Sequence, residues 1–394
     1  MNRGQFNWIK PAKTLVNAIA CTAIVSLLPA TVAAQSRSDI RAEYPQLADL
    51  FNAFDVTQAQ TFDVIATINA HPSYAAARTA LREHLEGMKT MNMSEMMASG
   101  TMSHSGMNMD MSASGPYPDM EVESRINLLA VMRGQHTDAE ASAAYEASTA
   151  INRHTGEVLK RGREFENTLL AIYIDDRISD KRAAVTAAIT EYLSDDQHSV
   201  ATVPKESEYL IVHGQANGFK TAFPRLSGFL WTQQWLQLAA LEAVILEQLD
   251  PQFAGGMKVA LERFWNKIGS AGGMSMFPAP TELPMAPAIA PDLYSQSPEA
   301  ATILDNLNIL ETVVADVLSY PDEPDRDAKM DAAVALFTNK DAAAAEPMEY
   351  LLIALRGGIY NQGGPAVGEL MQSERNRTRE AMDMQHAMIM SQGQ

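Results

Sequence analysis

Beyond residue 35 the apolar residues recur at three- and four-residue intervals, and few short β-branched runs bounded by turns interrupt them. The pattern predicts an all-α fold: a helical, bundle-like body with a long Met-rich loop and a Pro-rich connector. The longest periodic stretch, 138–176, puts Asp138 and Glu140 in a first turn, where acids suit the positive end of the helix dipole. Gly156 and Gly162 weaken its middle, so it reads as two helices or one bent one. Residues 179–196 open with Ser179 as the expected cap. The most apolar stretch is 226–249, where Trp231, Trp235 and Leu238 share one helical face. Residues 298–320 begin with a first-turn proline and stop at Pro321. Shorter helices are expected at 40–53, 56–70, 73–88, 251–268, 326–338 and 346–356.

Two stretches break the helical pattern. Residues 88–120 are rich in Met, Ser and Gly and end in Gly-Pro-Tyr-Pro-Asp, and residues 269–297 are rich in Gly and Pro. They divide the chain into an N-terminal helical part (35–88), a Met-rich loop (89–120), a central helical part (121–268), a connector (269–297) and a C-terminal helical part with a Met/His tail (298–394). No repeat of 20–50 residues is evident.

The first 34 residues read differently. Arg3, Lys10 and Lys13 precede an apolar run that ends in Val32-Ala33-Ala34, followed by a polar stretch. This is the layout of a secretory signal peptide, with cleavage expected after Ala34 and a periplasmic mature protein. No later segment reaches the ~20 apolar residues of a membrane span. Cys21 is the only cysteine, so the mature chain has no thiolate chemistry and no disulfide. The leader holds three bases and no acid, and its removal takes the formal charge from −18 to −21. Such a charge argues against nucleic acid or an anionic membrane as partner.

The chemistry concentrates between Met88 and Met111. Nine of the 24 residues there are Met, and no Leu, Ile, Val or Phe accompanies them. A Met stripe at helical spacing is usually core, but this stretch has no apolar partners to form one. Thioether sulfur is soft, uncharged and needs no deprotonation, which suits Cu(I). Met91 and Met93 form one Met-x-Met pair, and Met107, Met109 and Met111 extend the spacing to three. In extended chain those sulfurs share a side. Met96 and Met97 would join Met93 on one face if the preceding helix ran on, and Met102 and His104 lie between the two groups. The C-terminal tail repeats the composition with Met382, Met384, His386, Met388 and Met390. An adaptable protein-contact surface and a sink for oxidants are the competing readings of these sulfurs.

These loops, dense in Met, Ser, Gly, Asp and His, resemble the Met-rich segments of periplasmic copper-resistance proteins, including multicopper-oxidase inserts and copper-efflux components. The resemblance covers residues 88–111 and the tail. It implies copper handling; with the soft thioethers, Cu(I) is the expected ion, and a periplasmic cuproprotein or copper exporter is the expected partner. It says nothing about oxidase chemistry, since the helical body shows none of the His-x-His and His-Cys-His phrases of such sites.

Other constellations are weaker. His154 and Glu157 stand three apart, as do Asp195 and His198, but the Glu-x-x-His pairs of a di-metal bundle are lacking. Residues 207–231 mix His213, Gln215, Asn217, Lys220 and Arg225 with Gly and aromatics, as the lining of a pocket or as a polar turn feeding a core helix. No phosphate loop and no hydrolase or metalloprotease motif is present. The chain therefore reads as a copper-binding protein with no expected catalytic residues. A helical ligand-binding protein or enzyme with its site near 207–231, or a scaffold that uses the Met loop, is the alternative.

Overall fold

The computed structural model describes residues 28–90, 115–205, 217–269, 283–321 and 323–355. Within them the chain is helical, and the only pairing outside helices is an isolated antiparallel bridge between Lys205 and Ala344. The first half contains α1 (Leu28–Glu43), α2 (Pro45–Ala70), α3 (Ala75–Thr90), α4 (Pro118–Met132), α5 (Asp138–Ala147), α6 (Arg153–Ile174) and α7 (Lys181–Tyr192). The second contains α8 (Asn217–Ala222), α9 (Pro224–Leu249), α10 (Gly256–Gly269), α11 (Ala286–Ile289), α12 (Pro291–Gln296), α13 (Pro298–Ser319), α14 (Arg326–Thr338) and α15 (Pro347–Leu355).

The all-α expectation holds, and the long helices explain the architecture. α2, α6, α9 and α13 are long and largely buried, α9 on every face from Leu226 to Leu246. A helix apolar all round needs neighbours all round. α2 and α6 each pack against both α9 and α13, so the four form a bundle with α2 opposite α6. The shorter helices cover it: α1 and α7 lie on α6, α4 and α5 on α2, α10 on α9, and α14 on α13. One hydrophobic cluster runs from Ile40 to Ala354 and includes Trp231, Trp235 and Leu238, the face read from the sequence.

Several boundaries differ from the sequence reading, each for a local reason. The expected gap between 53 and 56 is absent; the break falls at Tyr44, whose successor Pro45 disfavours helical backbone before it. The stretch 138–176 is two helices, but the break is at 148–152 and not at the glycines. There the Asp63 carboxylate accepts from Thr149 N (2.8 Å), Thr149 Oγ1 (2.9 Å), Ala150 N (3.0 Å) and Ser148 Oγ (3.2 Å). Gly162 lies inside α6 because a Cβ there would come within 2.4 Å of Leu307 Cδ1; the residue allows α6 and α13 to approach. Asp180, not Ser179, caps α7 and accepts from Ala183 N at 2.9 Å. Finally, the described end of the 269–297 connector is structured. It forms α11 and α12, with Ile289 and Leu293 fully buried.

Those short helices persist because distant side chains satisfy their ends. A helix leaves its first N–H and last C=O groups unpaired. Glu121 of α4 is fully buried and accepts from Arg225 N (2.6 Å) and Leu226 N (3.0 Å) at the start of α9. Glu242 of α9 does the same for Asp292 N and Leu293 N in α12, and Asp305 of α13 for Ala286 N in α11. Carbonyl ends are matched by cations. Lys205 Nζ donates to Leu336 O, Asn339 O and Ala342 O around the end of α14 (2.8–3.0 Å). Lys181 Nζ donates to Ile172 O, Tyr173 O and Asp175 O at the end of α6. Carboxyl oxygens at helix starts and ammonium groups at helix ends satisfy the orphan groups in the sense that the dipole favours.

Candidate functional site

The copper-ligand candidates Met91, Met93, Met96, Met97, Met102, His104, Met107, Met109 and Met111 lie outside the described residues, as do Met382, Met384, His386, Met388 and Met390. Their flanks are inside. On one side α3 enters the body through the buried Leu81 and Leu85. On the other, Glu121 anchors α4 to the start of α9, and Arg125 Nη2 donates to Ile268 O at 2.9 Å. The Met-rich stretch is therefore tethered to folded structure at both ends. Among the described residues, no group of three or more His, Cys, Asp or Glu is placed to hold a metal ion.

The bundle interior holds an arrangement that the periodicity concealed: a closed ring of polar side chains. Gln58 Nε2 of α2 donates to Gln237 Oε1 of α9 (3.2 Å), and Gln237 Nε2 to Glu166 Oε2 of α6 (2.8 Å). Arg163 reaches Glu166 Oε2 (3.1 Å) and, with its other amino group, Glu311 Oε2 of α13 (2.8 Å). The Tyr145 hydroxyl of α5 lies 3.0 Å from both Glu311 Oε1 and Gln58 Oε1, which closes the ring. Asn308 and Gln234 brace it by contacts to Arg163 and Glu311. Every member is buried. Two carboxylates face one guanidinium, and burial pushes the Glu166 carboxyl up to about 7 against the pull of Arg163. A second buried ion pair, Arg37–Asp55 at 2.8 Å, joins α1 to α2.

The two weak His motifs come together at the surface. His198 Nδ1 lies 2.8 Å from Asp195 Oδ2, and its Nε2 lies 3.0 Å from Glu157 Oε2 of α6. The His154 ring meets the His198 ring edge-on at 5.5 Å between centroids, and Asp331 of α14 stands 3.8 Å from His154 Nδ1. Hydrogen bonds from Arg153 and His198 hold Glu157 below the usual carboxylate range. His198 has carboxylates on both nitrogens and so ties the turn after α7 to α6. These groups are partly exposed, so each pair is worth about 0–1 kcal/mol.

The segment expected to line a pocket, 207–231, is described only from Asn217 onward. That portion forms α8 and the start of α9, with Phe219, Phe223, Phe229 and Trp231 buried. Asp316 of α13 holds its first turn by accepting from Phe219 N at 2.9 Å. A cleft of about 890 Å³ opens elsewhere, between the α1–α2 junction and α10. Its walls include Tyr44, Leu47, Met257, Leu261 and Trp265, with Glu43, Glu247, Glu262 and Lys258 among them.

No protein-family model matches the chain, no curated protein is significantly similar to it, and no solved structure is significantly similar to its fold.

Proposed function

We propose that the chain is an exported copper-binding protein that sequesters or delivers Cu(I) in the periplasm through its Met-rich segments. The observation that carries this reading is the composition of 88–111: nine Met among Ser, Gly and Asn, with no other large aliphatic residue. Thioethers in that setting have metal coordination as their most specific use. The described flanks support the division of labour, because α3 and α4 on either side of the segment are anchored in the body. Among the described residues no helix is long and apolar enough to cross a membrane. A periplasmic cuproprotein or copper exporter is the proposed partner.

Replacing Met107, Met109 and Met111 with Leu keeps size and apolarity and removes only sulfur. Competition against a Cu(I) chelator is expected to show reduced stoichiometry, with the thermal unfolding midpoint unchanged. Deleting 91–111 should lower stoichiometry further and leave the far-UV helical signal intact. Equal Cu(I) uptake by parent, triple variant and deletion would sink the copper reading and leave the protein-contact surface as its replacement. Thioethers do not titrate, so uptake should persist at mildly acidic pH where imidazole ligands protonate.

Export has its own test. Intact-mass analysis of protein recovered from the periplasm is expected to give Gln35 as the first residue. That terminus keeps Arg37 and Ile40, which are buried against the body. Retention of Met1, or a lipid on Cys21, would refute it.

A further inference from the structure

We infer that the cleft between the α1–α2 junction and α10 is a binding site for a small organic cation with an apolar body. The inference is independent of the copper reading and uses none of the Met-rich segments. Its volume, about 890 Å³, is within the range of ligand pockets. One wall is the face of α10 that carries Met257, Leu261 and Trp265 at four-residue spacing. Opposite them Leu47, fully buried, and Tyr44 come from the first turn and cap of α2. Leu261 and Trp265 are only partly covered, unlike Ala260, Phe264 and Ile268, which α10 buries in the body. Leu261 and Trp265 pack against the core with part of their surface and turn the rest toward the cleft, beside the buried Met257.

The charged groups give this surface its sign. Glu43, Glu247 and Glu262 line the cleft, and among the described lining residues Lys258 is the cation. Lys258 is 82% exposed and stands 4.0 Å from Glu262, a loose i,i+4 pair that a ligand can displace. Glu247 is fixed in place. Its Oε1 accepts from Gly255 N (2.9 Å) and Met257 N (3.2 Å), and its Oε2 accepts from the Tyr44 hydroxyl (2.7 Å). Burial and the Glu247 hydrogen bond push the Tyr44 phenol above its ordinary range, so it remains a neutral donor. The Arg133 guanidinium covers the Trp265 ring at 5.7 Å but is not part of the cleft lining. An indole, a phenol and surrounding carboxylates, with apolar floor residues, form the chemistry that recognises an alkylammonium group. The formal charge of the chain, −18, adds long-range attraction of the same sign.

The test uses the full mature protein and benzyltrimethylammonium as probe, with spermidine as a second cation and benzyl alcohol and benzoate as neutral and anionic counterparts. Calorimetric titration is expected to show saturable one-site binding of the cations that weakens with salt, and none of the counterparts. Tryptophan fluorescence should change with the same midpoint. Trp265→Phe should abolish that optical change, since Trp231 and Trp235 are buried in the core. Glu43→Gln with Glu262→Gln should weaken binding at least tenfold without moving the unfolding midpoint, because both side chains are exposed. The inference is overturned if neither cation binds, if benzyl alcohol binds as well as benzyltrimethylammonium, or if the double Gln variant binds with parental affinity.

Discussion

Arg163→Met is expected to lower the thermal unfolding midpoint by roughly 5 °C, through a loss of about 3–5 kcal/mol. The residue is fully buried, and its guanidinium is the only positive charge in the ring of Gln58, Gln237, Glu166, Glu311 and Tyr145. Removing it leaves Glu166 and Glu311 without a counter-charge inside the bundle. A buried ion network adds little net stability when formed, but breaking it on one side exposes the full desolvation penalty of what remains. The size of the loss therefore depends on the carboxylates and not on Arg163 alone. Adding Glu166→Gln and Glu311→Gln to Arg163→Met should recover most of the midpoint. Glu166→Gln by itself should cost no more than about 1 kcal/mol, because the amide oxygen can still accept from Gln237 and Arg163. A midpoint within 2 °C of the parent for Arg163→Met, measured by calorimetry, would show that water or rearrangement solvates the ring and that it does not fix the bundle. The three variants together separate charge from volume, since Met fills most of the space of the Arg stem.

Why the ring escaped the sequence reading is physical. Each member sits on a helix that satisfies the apolar periodicity without it. Gln233, Gln234 and Gln237 stand in α9, among Trp and Leu, where they read as ordinary helix formers. The signal that could have found them was their spacing: polar residues three and four apart on a helix buried all round need partners inside. The helix caps divide in the same way. Local caps such as Thr137 with Glu140, Asn152 and Ser297 follow from adjacent residues. Glu121 acts on the start of α9, 104 positions ahead, and Lys205 on the end of α14, more than 130 ahead. No local window contains both partners, so the short α11 and α12 looked like connector. Helix type and the core face of α9 were legible because 3.6-residue periodicity is local. The cleft was not read from the sequence: a helix was expected at 251–268, but only the tertiary structure brings Leu261 and Trp265 together with Tyr44 and with acids from α1 and α9.

The second large effect is in pH. The unfolding midpoint is expected to fall steadily from pH 5.5 to pH 8, the reverse of a protein held by salt-bridged surface carboxylates. Burial pushes Glu121, Glu166 and Asp305 each up to about 7, and Glu242 up to about 8. Backbone N–H groups at helix starts oppose the rise for Glu121, Glu242 and Asp305, but burial outweighs them. In the unfolded chain the same groups titrate near their ordinary values of about 4. Between about pH 4.5 and 8 the folded state thus binds more protons than the unfolded state, and stability must decline as pH rises. A tenfold difference in proton affinity between the two states is worth about 1.4 kcal/mol, so even one fully expressed group gives a readable slope. Lys205, lowered to about 8 by burial, gains only above that pH, so the window should stop there. Relief of repulsion on a chain of charge −18 would slope the same way. Salt separates the two: repulsion between exposed charges fades at high ionic strength, whereas the buried carboxyls are barely screened. Glu242→Gln gives the residue-level check, because its amide oxygen can still accept from Asp292 N and Leu293 N while having nothing to titrate. In 0.5 M salt the parent should keep its decline and the variant should lose part of it, most clearly above pH 6. A parent midpoint that is flat or rises over this window would show that the buried carboxyls are ionised throughout, held by water or by their backbone donors.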